Sequence, residues 1–206
     1  MKWDRWLAIF FLTVGIGYAS YSGMNYILQL QVVEKTANQT HPPSLQAEKG
    51  DVEKSEDVLW RIVPVAERPK KGEHFADLVI PRLEAKMPIV EGTNEDELER
   101  GVGHYSKSVL PGEPDNAVLS GHRDTVFRQM GKMQLGDELR VVTVRETFVY
   151  VIQKMWTTDA LDRTVIVPRE KPVLTLTTCY PFSYIGPAPE RYIIEAHLTT
   201  RLTNSD

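Results

Sequence analysis

A single cysteine, Cys179, serves the whole of this 206-residue chain, so no disulfide can close within it. Nor is there a concentrated run of lysine and arginine, and a net charge of −4 counts against a nucleic-acid partner. Internal repeats are missing as well. Charge disappears altogether between Trp6 and Val33, in WLAIFFLTVGIGYASYSGMNYILQLQVV. Large apolar residues are in turn almost missing from Glu34 to Asp57, EKTANQTHPPSLQAEKGDVEKSED. The composition as a whole, 42% hydrophobic and 25% charged, is that of a globular protein able to bury a sizeable core.

The uncharged stretch exceeds the roughly 20 apolar residues that a spanning helix needs. Trp3, Trp6 and Tyr26 suit the interfacial aromatic belts, and Lys2 and Arg5 favour a cytoplasmic N-terminus. A cleaved signal peptide is the rival reading, with GYA at 17–19 as a small-residue cleavage site. The run continues past that site, beyond the roughly 7–15 residues of a signal core, which favours a retained anchor. Either way, Lys35 onward is expected outside the cytoplasm. The expected organisation is a cytoplasmic tail at 1–5, a transmembrane anchor at 6–30, a solvated linker at 31–58 and a single domain at 59–206. Exported proteins normally pair their cysteines, so an odd one points to an intermolecular bridge or a reactive thiol.

Within the domain the pattern predicts strands over ADLVIPRL (76–83), MPIVEG (87–92), NAVLSGH (116–122), DELRVVTV (137–144), FVYVIQKMW (148–156), TVIVP (164–168), KPVLTLTTC (171–179) and RYIIEAHLTTRL (191–202). The fourth and fifth of these runs, 137–144 and 148–156, flank RET and are expected to form a hairpin. NEDELERG (94–101) predicts a short helix capped by Asn94, and TVFRQMGKM (125–133) one or two helical turns. Eight short strands with little helix predict an all-β fold, an eight-stranded barrel in preference to a sandwich.

A thiol attacks as its thiolate and needs a cationic or basic neighbour. Of the five histidines, His41 lies in the linker, His74 precedes the first strand, and His197 sits within the last one. His104, in GVGHYSKS, is read as belonging to a glycine-bounded loop. His122 stands apart, because in LSGHRDT an apolar strand runs directly into Gly, His, Arg and Asp. Strand-to-loop junctions present side chains to clefts from a rigid scaffold. Arg191 opens the last strand one loop after Cys179, which two neighbouring antiparallel strands would bring close to the thiol. A guanidinium there can bind an oxyanion or a substrate carbonyl. A surface ion pair with Glu190 or Asp124 is the plainer role for it. Asp124, two residues from His122, is a weak candidate for orienting the imidazole.

Taken together, TLTTC (175–179), LSGHRDT (119–125) and the arginine of ERYIIEA (190–196) resemble the sortase family. These are membrane-anchored cysteine transpeptidases of Gram-positive bacteria. The order His, Cys, Arg fits, and TTCYPF with GPAPERYIIEA looks most like the class D members. The resemblance implies an eight-stranded sortase-type barrel in which Cys179, His122 and Arg191 meet. It implies a thiol that attacks the bond after Thr in an LPxT-type sorting signal, forming a thioacyl-enzyme. The partners implied are LPxT-motif surface proteins as substrate and a peptidoglycan precursor or crosslink amine as acceptor. His122 would protonate the leaving amine and deprotonate the incoming one, while Arg191 would steady the signal or the oxyanion. No cofactor is implied. Calcium assists some members, but a charged helix face fully explains NEDELE. LPGEP (110–114) is internal and the chain ends in RLTNSD, so the protein is expected to act on such signals and not to carry one.

Three other classes remain open at this point. An L,D-transpeptidase also uses Cys, His and Arg, but resembles an HGxxxCxR-type pattern that Thr-Thr-Cys-Tyr-Pro does not supply. A membrane-tethered thiol protease of the same fold would hydrolyse the same bond. A non-catalytic wall-binding β module would keep Cys179 as a buried structural thiol.

Overall fold

Alternating apolar and polar residues build strands that need a second face to bury against, and here the sheet supplies it by closing on itself. The computed structural model describes residues 3–38, 68–182, 186 and 188–204. A helix α1 (Trp3–Asn38) precedes β1 (His74–Ile80), β2 (Ala85–Glu91), a one-turn α2 (Glu95–Leu98), β3 (Val102–His104) and β4 (Asn116–Ser120). Then follow β5 (Glu138–Val142), β6 (Glu146–Asp159), β7 (Val173–Tyr180) and β8 (Glu190–Thr203). The order around the barrel is β1-β2-β3-β4-β7-β8-β6-β5, and β5 closes on β1 with Leu78 opposite Val141. The β2–β3 and β4–β7 pairs are parallel and the others antiparallel. Leu78, Ile80, Met87, Ile89, Leu119, Tyr150, Leu174, Leu176 and Ile194 fill the interior. Each fully buried aliphatic side chain of this kind contributes about 1.5–3 kcal/mol.

One part of the barrel is buried on both faces. On β7, Leu174 and Leu176 point inward, yet Val173 and Thr175, on the opposite face, are equally buried. Their outward neighbours Val118 and Ile193 are too. Segment 160–172 covers them: Asn116 donates its side-chain amide to Val165 O (3.4 Å), Arg169 N bonds Asp115 (2.6 Å), and the Arg169 guanidinium pairs with Glu195 (2.7 Å). Burial on both faces explains why the sequence before Cys179 reads as continuous VLTLTT instead of alternating. The cover ends at Thr177, so the last residues of β7 are half open to solvent.

Several boundaries differ from the sequence expectation. TVIVP (164–168) is not a strand, because Asp162 binds both the backbone and the hydroxyl of Thr164 (2.8 and 2.7 Å) and Pro168 supplies no ladder donor. The eighth strand is instead β3, three residues long, in the stretch read as a glycine-bounded loop. Pro81 ends β1 by opening a 3₁₀ turn over Pro81–Leu83. The RET hairpin forms, closed by Thr143 N to Glu146 O (2.8 Å). The helical turns expected over 125–133 reduce to a 3₁₀ turn at Met130–Lys132.

Helix α1 runs through Asn38, into the stretch expected as linker, and exposes Phe10, Phe11, Leu12 and Ile16. No helix among the described residues is long and apolar enough to cross a membrane. Gly15, Gly17, Ser20, Ser22 and Gly23, with Tyr18 and Tyr21, dilute its aliphatic run. His41 and the remainder of the linker lie outside the described residues.

Candidate active site

The threonines of TLTTC have specific work. Thr175 donates to the side-chain oxygen of Asn116 (2.7 Å) and Thr178 to the backbone carbonyl of Gly121 (2.7 Å). Both residues are buried, and their bonds clamp β7 to β4 at two heights. The parallel ladder sets Ser120 opposite Thr177, and Gly121 N extends it to Thr177 O (3.2 Å). Gly121 has to be glycine, since a Cβ there would meet Val126 and Phe127 side-chain atoms at 2.7 Å. Consequently His122 leaves β4 beside the end of β7, one residue beyond a backbone bonded to Thr177 and Thr178.

Cys179 lies on the same outward face of β7 as Thr177, and its Cα partner across the β7–β8 ladder is Arg191. Directly opposed residues in an antiparallel pair have Cβ atoms about 4.5–5.5 Å apart. The next strand continues the row, with Thr158 of β6 opposite Arg191. The Arg191 guanidinium donates to the carbonyls of Ala188 (3.1 Å) and Glu190 (3.0 Å). Among the described residues it makes no ion pair, so the plainer role as a surface salt bridge to Glu190 or Asp124 is not seen. Cys179 is half-buried and unpaired. It is not hydrogen-bonded to His122 in this resting arrangement, as is common before substrate completes a site.

His122 has an acidic neighbour that the sequence did not suggest. Its Nε2 lies 3.5 Å from Glu95 Oε1, in the first turn of α2, whereas Asp124 makes no bond to it among the described residues. The connection between Cys179 and Arg191 is held by a second unforeseen residue, Arg123. This side chain donates to Pro181 O (3.0 Å) and Gly186 O (2.8 Å). Its adjacency to His122 was the only available signal, and Glu95 gave none, because 26 residues of intervening chain fold before it meets the histidine. Tyr180, Phe182 and Tyr192 pack together at the same end of the barrel, with ring centroids 5.2–6.1 Å apart. Burial, with the nearby Tyr180, pushes the Tyr192 phenol above its usual range.

The other histidines are accounted for elsewhere. Exposed His74 pairs with Asp77 (2.8 Å) and His197 with Glu195 (3.3 Å). His104 is buried at the end of β3, its Nδ1 2.5 Å from Glu91 and its Nε2 2.9 Å from Val109 O. Among the described residues no group of three or more His, Cys, Asp or Glu side chains is arranged to hold a metal.

The arrangement sets a cysteine opposite an arginine on neighbouring strands, with a histidine one residue past the glycine that bonds the cysteine's own strand. The Sortase domain family model matches residues 78–199. Over 194 residues the chain is 39% identical to Sortase D of Bacillus subtilis (strain 168), spanning 91% of this chain and 95% of that protein. Among solved structures it is similar to the catalytic domain of B. anthracis SrtD, at 46% identity and a TM-score of 0.58, covering 69% of this chain and 98% of that one. It is also similar to Sortase E1 of Streptomyces coelicolor with a tripeptide in the active site, at 29% identity and a TM-score of 0.58, covering 66% and 94% of the two chains.

Proposed function

This chain belongs to the sortase family, and from that premise we propose that Cys179, His122 and Arg191 carry its chemistry. Sortases are cysteine transpeptidases, so the protein is an enzyme that exchanges one peptide bond for another. The residue assignment rests on one observation above all: the only thiol of the chain faces Arg191 across the ladder, beside the strand that delivers His122.

The proposed substrate is an LPxT-type sorting signal on a surface protein. Thiolate Sγ of Cys179 attacks the carbonyl carbon of the signal's Thr, and a C–S bond forms as negative charge moves to oxygen. Arg191 exchanges its carbonyl partners for that oxygen or for the neighbouring signal carbonyls, where its planar fork can span two acceptors. Collapse breaks the C–N bond, and imidazolium His122 gives its proton to the departing amine. The resulting thioester is then attacked by a cell-wall amine. His122 takes the proton of the incoming nitrogen, the new amide forms, and Cys179 leaves as thiolate. The tripeptide in the active site of the similar Sortase E1 supports a peptide ligand at this position.

The class D assignment and the anchor are further parts of the reading. TTCYPF, GPAPERYIIEA and the likeness to Sortase D support class D. The uncharged Trp6–Val33 run and the exposed Phe10, Phe11, Leu12 and Ile16 support α1 as the anchoring segment, its aliphatic character diluted by glycine, serine and tyrosine below that of an ordinary span, with the N-terminus cytoplasmic and the barrel outside. Tethering there would raise the effective concentration of substrates held at the same membrane.

The test is a panel of LPxT peptides with candidate amines, followed by mass spectrometry. Cleavage after Thr, a covalent adduct on Cys179 and amine-dependent product are expected, all lost in Cys179→Ala. Hydrolysis that no amine alters would instead indicate a thiol protease. Cleavage retained in Cys179→Ala removes the assignment.

A further inference from the structure

The barrel ladder fixes Gly121 against β7 and Tyr180 against Glu190, but His122 and the residues after Tyr180 both lie beyond its last bonds. Something outside the ladder has to hold these two exits at a constant distance. Arg123 bridges them, reaching across 58 and 63 residues of sequence to the carbonyls of Pro181 and Gly186. Both carbonyls belong to the connection that starts after Cys179 and ends at Arg191. Neither accepts a backbone N–H among the described residues. The same connection is gripped from its other end by Arg191, through Ala188 and Glu190.

We propose that Arg123 is a positioning residue for transpeptidation, tying the His122 loop to the Cys179–Arg191 connection and so setting the placement of the imidazole relative to the thiol. The inference rests on the sortase reading of this site. A guanidinium suits the task because its two terminal nitrogens diverge in a fixed plane and satisfy two carbonyls at once, which a lysine ammonium cannot match. Phe182 is also held without it, packing on Tyr180 and Tyr192 at ring-centroid distances of 5.5 and 5.2 Å. Loss of Arg123 therefore loosens the site without unfolding the barrel.

Three variants test this in the full chain: Arg123→Ala, Arg123→Lys and, for reference, His122→Ala. Single-turnover acylation is followed against LPxT-peptide concentration, and alkylation of Cys179 by iodoacetamide provides a readout that needs no peptide. A displacement of about 1 Å at a reacting centre costs on the order of 100-fold. Arg123→Ala is therefore expected to lose about 10- to 100-fold in maximal acylation, with the half-saturating peptide concentration within about threefold of the parent. Its alkylation should slow toward the His122→Ala rate, its melting temperature should stay near the parent's, and Arg123→Lys should fall between. Arg123→Ala acylating and alkylating within about twofold of the parent overturns the proposal, as does a loss that tracks a lowered melting temperature and that lysine does not repair. If no peptide is cleaved even by the parent, the sorting-signal reading fails, while the alkylation arm still decides the role of Arg123.

Discussion

Cys179 and Arg191 are direct partners in the antiparallel β7–β8 ladder, so the spacing of their backbones is set by strand pairing and not by loop conformation. Arg191 is already desolvated in part by two carbonyls, and releasing them costs little compared with organising a donor from solvent. Removing an oxyanion donor of this kind typically costs about 100- to 1,000-fold. Arg191→Ala is expected to fall in that range in single-turnover acylation, and Arg191→Lys to recover part of it. Both should melt near the parent temperature, because no ion pair is lost. An Arg191→Ala variant acylating at the parent rate would remove the arginine from the chemistry.

Glu95 tests how much of the site's electrostatics is exposed. It stands 3.5 Å from His122 Nε2 but is itself 73% open to solvent. An exposed pair is worth about 0.2–1 kcal/mol and is screened by salt. Glu95→Gln should therefore lower acylation by no more than about fivefold at low ionic strength, with the gap closing at high salt. A loss of 100-fold, or one independent of salt, would make Glu95 a structural member of the site.

The division between what was legible and what was not follows from the range of each interaction. The strand that carries Cys179, the loop that delivers His122 and the return of the chain at Arg191 all show in local pattern. So does the barrel, since eight short strands without long helices leave few alternatives. The register that opposes Cys179 to Arg191 was foreseen only as proximity. TVIVP failed as a strand because Asp162 captures Thr164, a contact that apolar content cannot reveal. β3 was missed because Val102, Gly103 and His104 are too few to show a period. Its histidine is buried through a carboxylate 13 residues away in sequence. Arg123 and Glu95 were invisible for the same reason: their partners are brought by the fold.

That buried pair, Glu91 with His104, should govern acid stability. The imidazole sets Nδ1 against Glu91 and Nε2 against Val109 O and the Ser108 hydroxyl. Burial by itself pushes the Glu91 carboxyl up. Hydrogen bonds from His104 and Ser106, with the charges of His104 and Arg68, outweigh it and leave the group below its usual 4.5. A folded value below the unfolded one contributes stability that is complete above the unfolded value and lost as pH falls through the folded one. The melting temperature should therefore hold steady down to about pH 5 and decline below 4.5. Glu91→Gln should melt lower at neutral pH and show a shallower decline in acid. An acid limb as steep as the parent's would place the effect on other carboxylates.

The two threonines that clamp β7 to β4 allow stability and catalysis to be separated. Each gives up one buried hydrogen bond on replacement by the isosteric valine, and each leaves a buried acceptor without its donor, a cost of about 1–3 kcal/mol. Thr175 is bonded to the side chain of Asn116, at the far end of the strand from Cys179. Thr178 is bonded to the carbonyl of Gly121, the residue that aims His122. Thr175→Val and Thr178→Val should therefore lower the melting temperature by similar amounts. Only Thr178→Val should also slow acylation, by about tenfold, because the backbone before His122 loses its fixed partner while Cys179 keeps its own. Equal acylation rates for the two variants would show that the ladder bond from Gly121 N to Thr177 O is enough to aim the histidine.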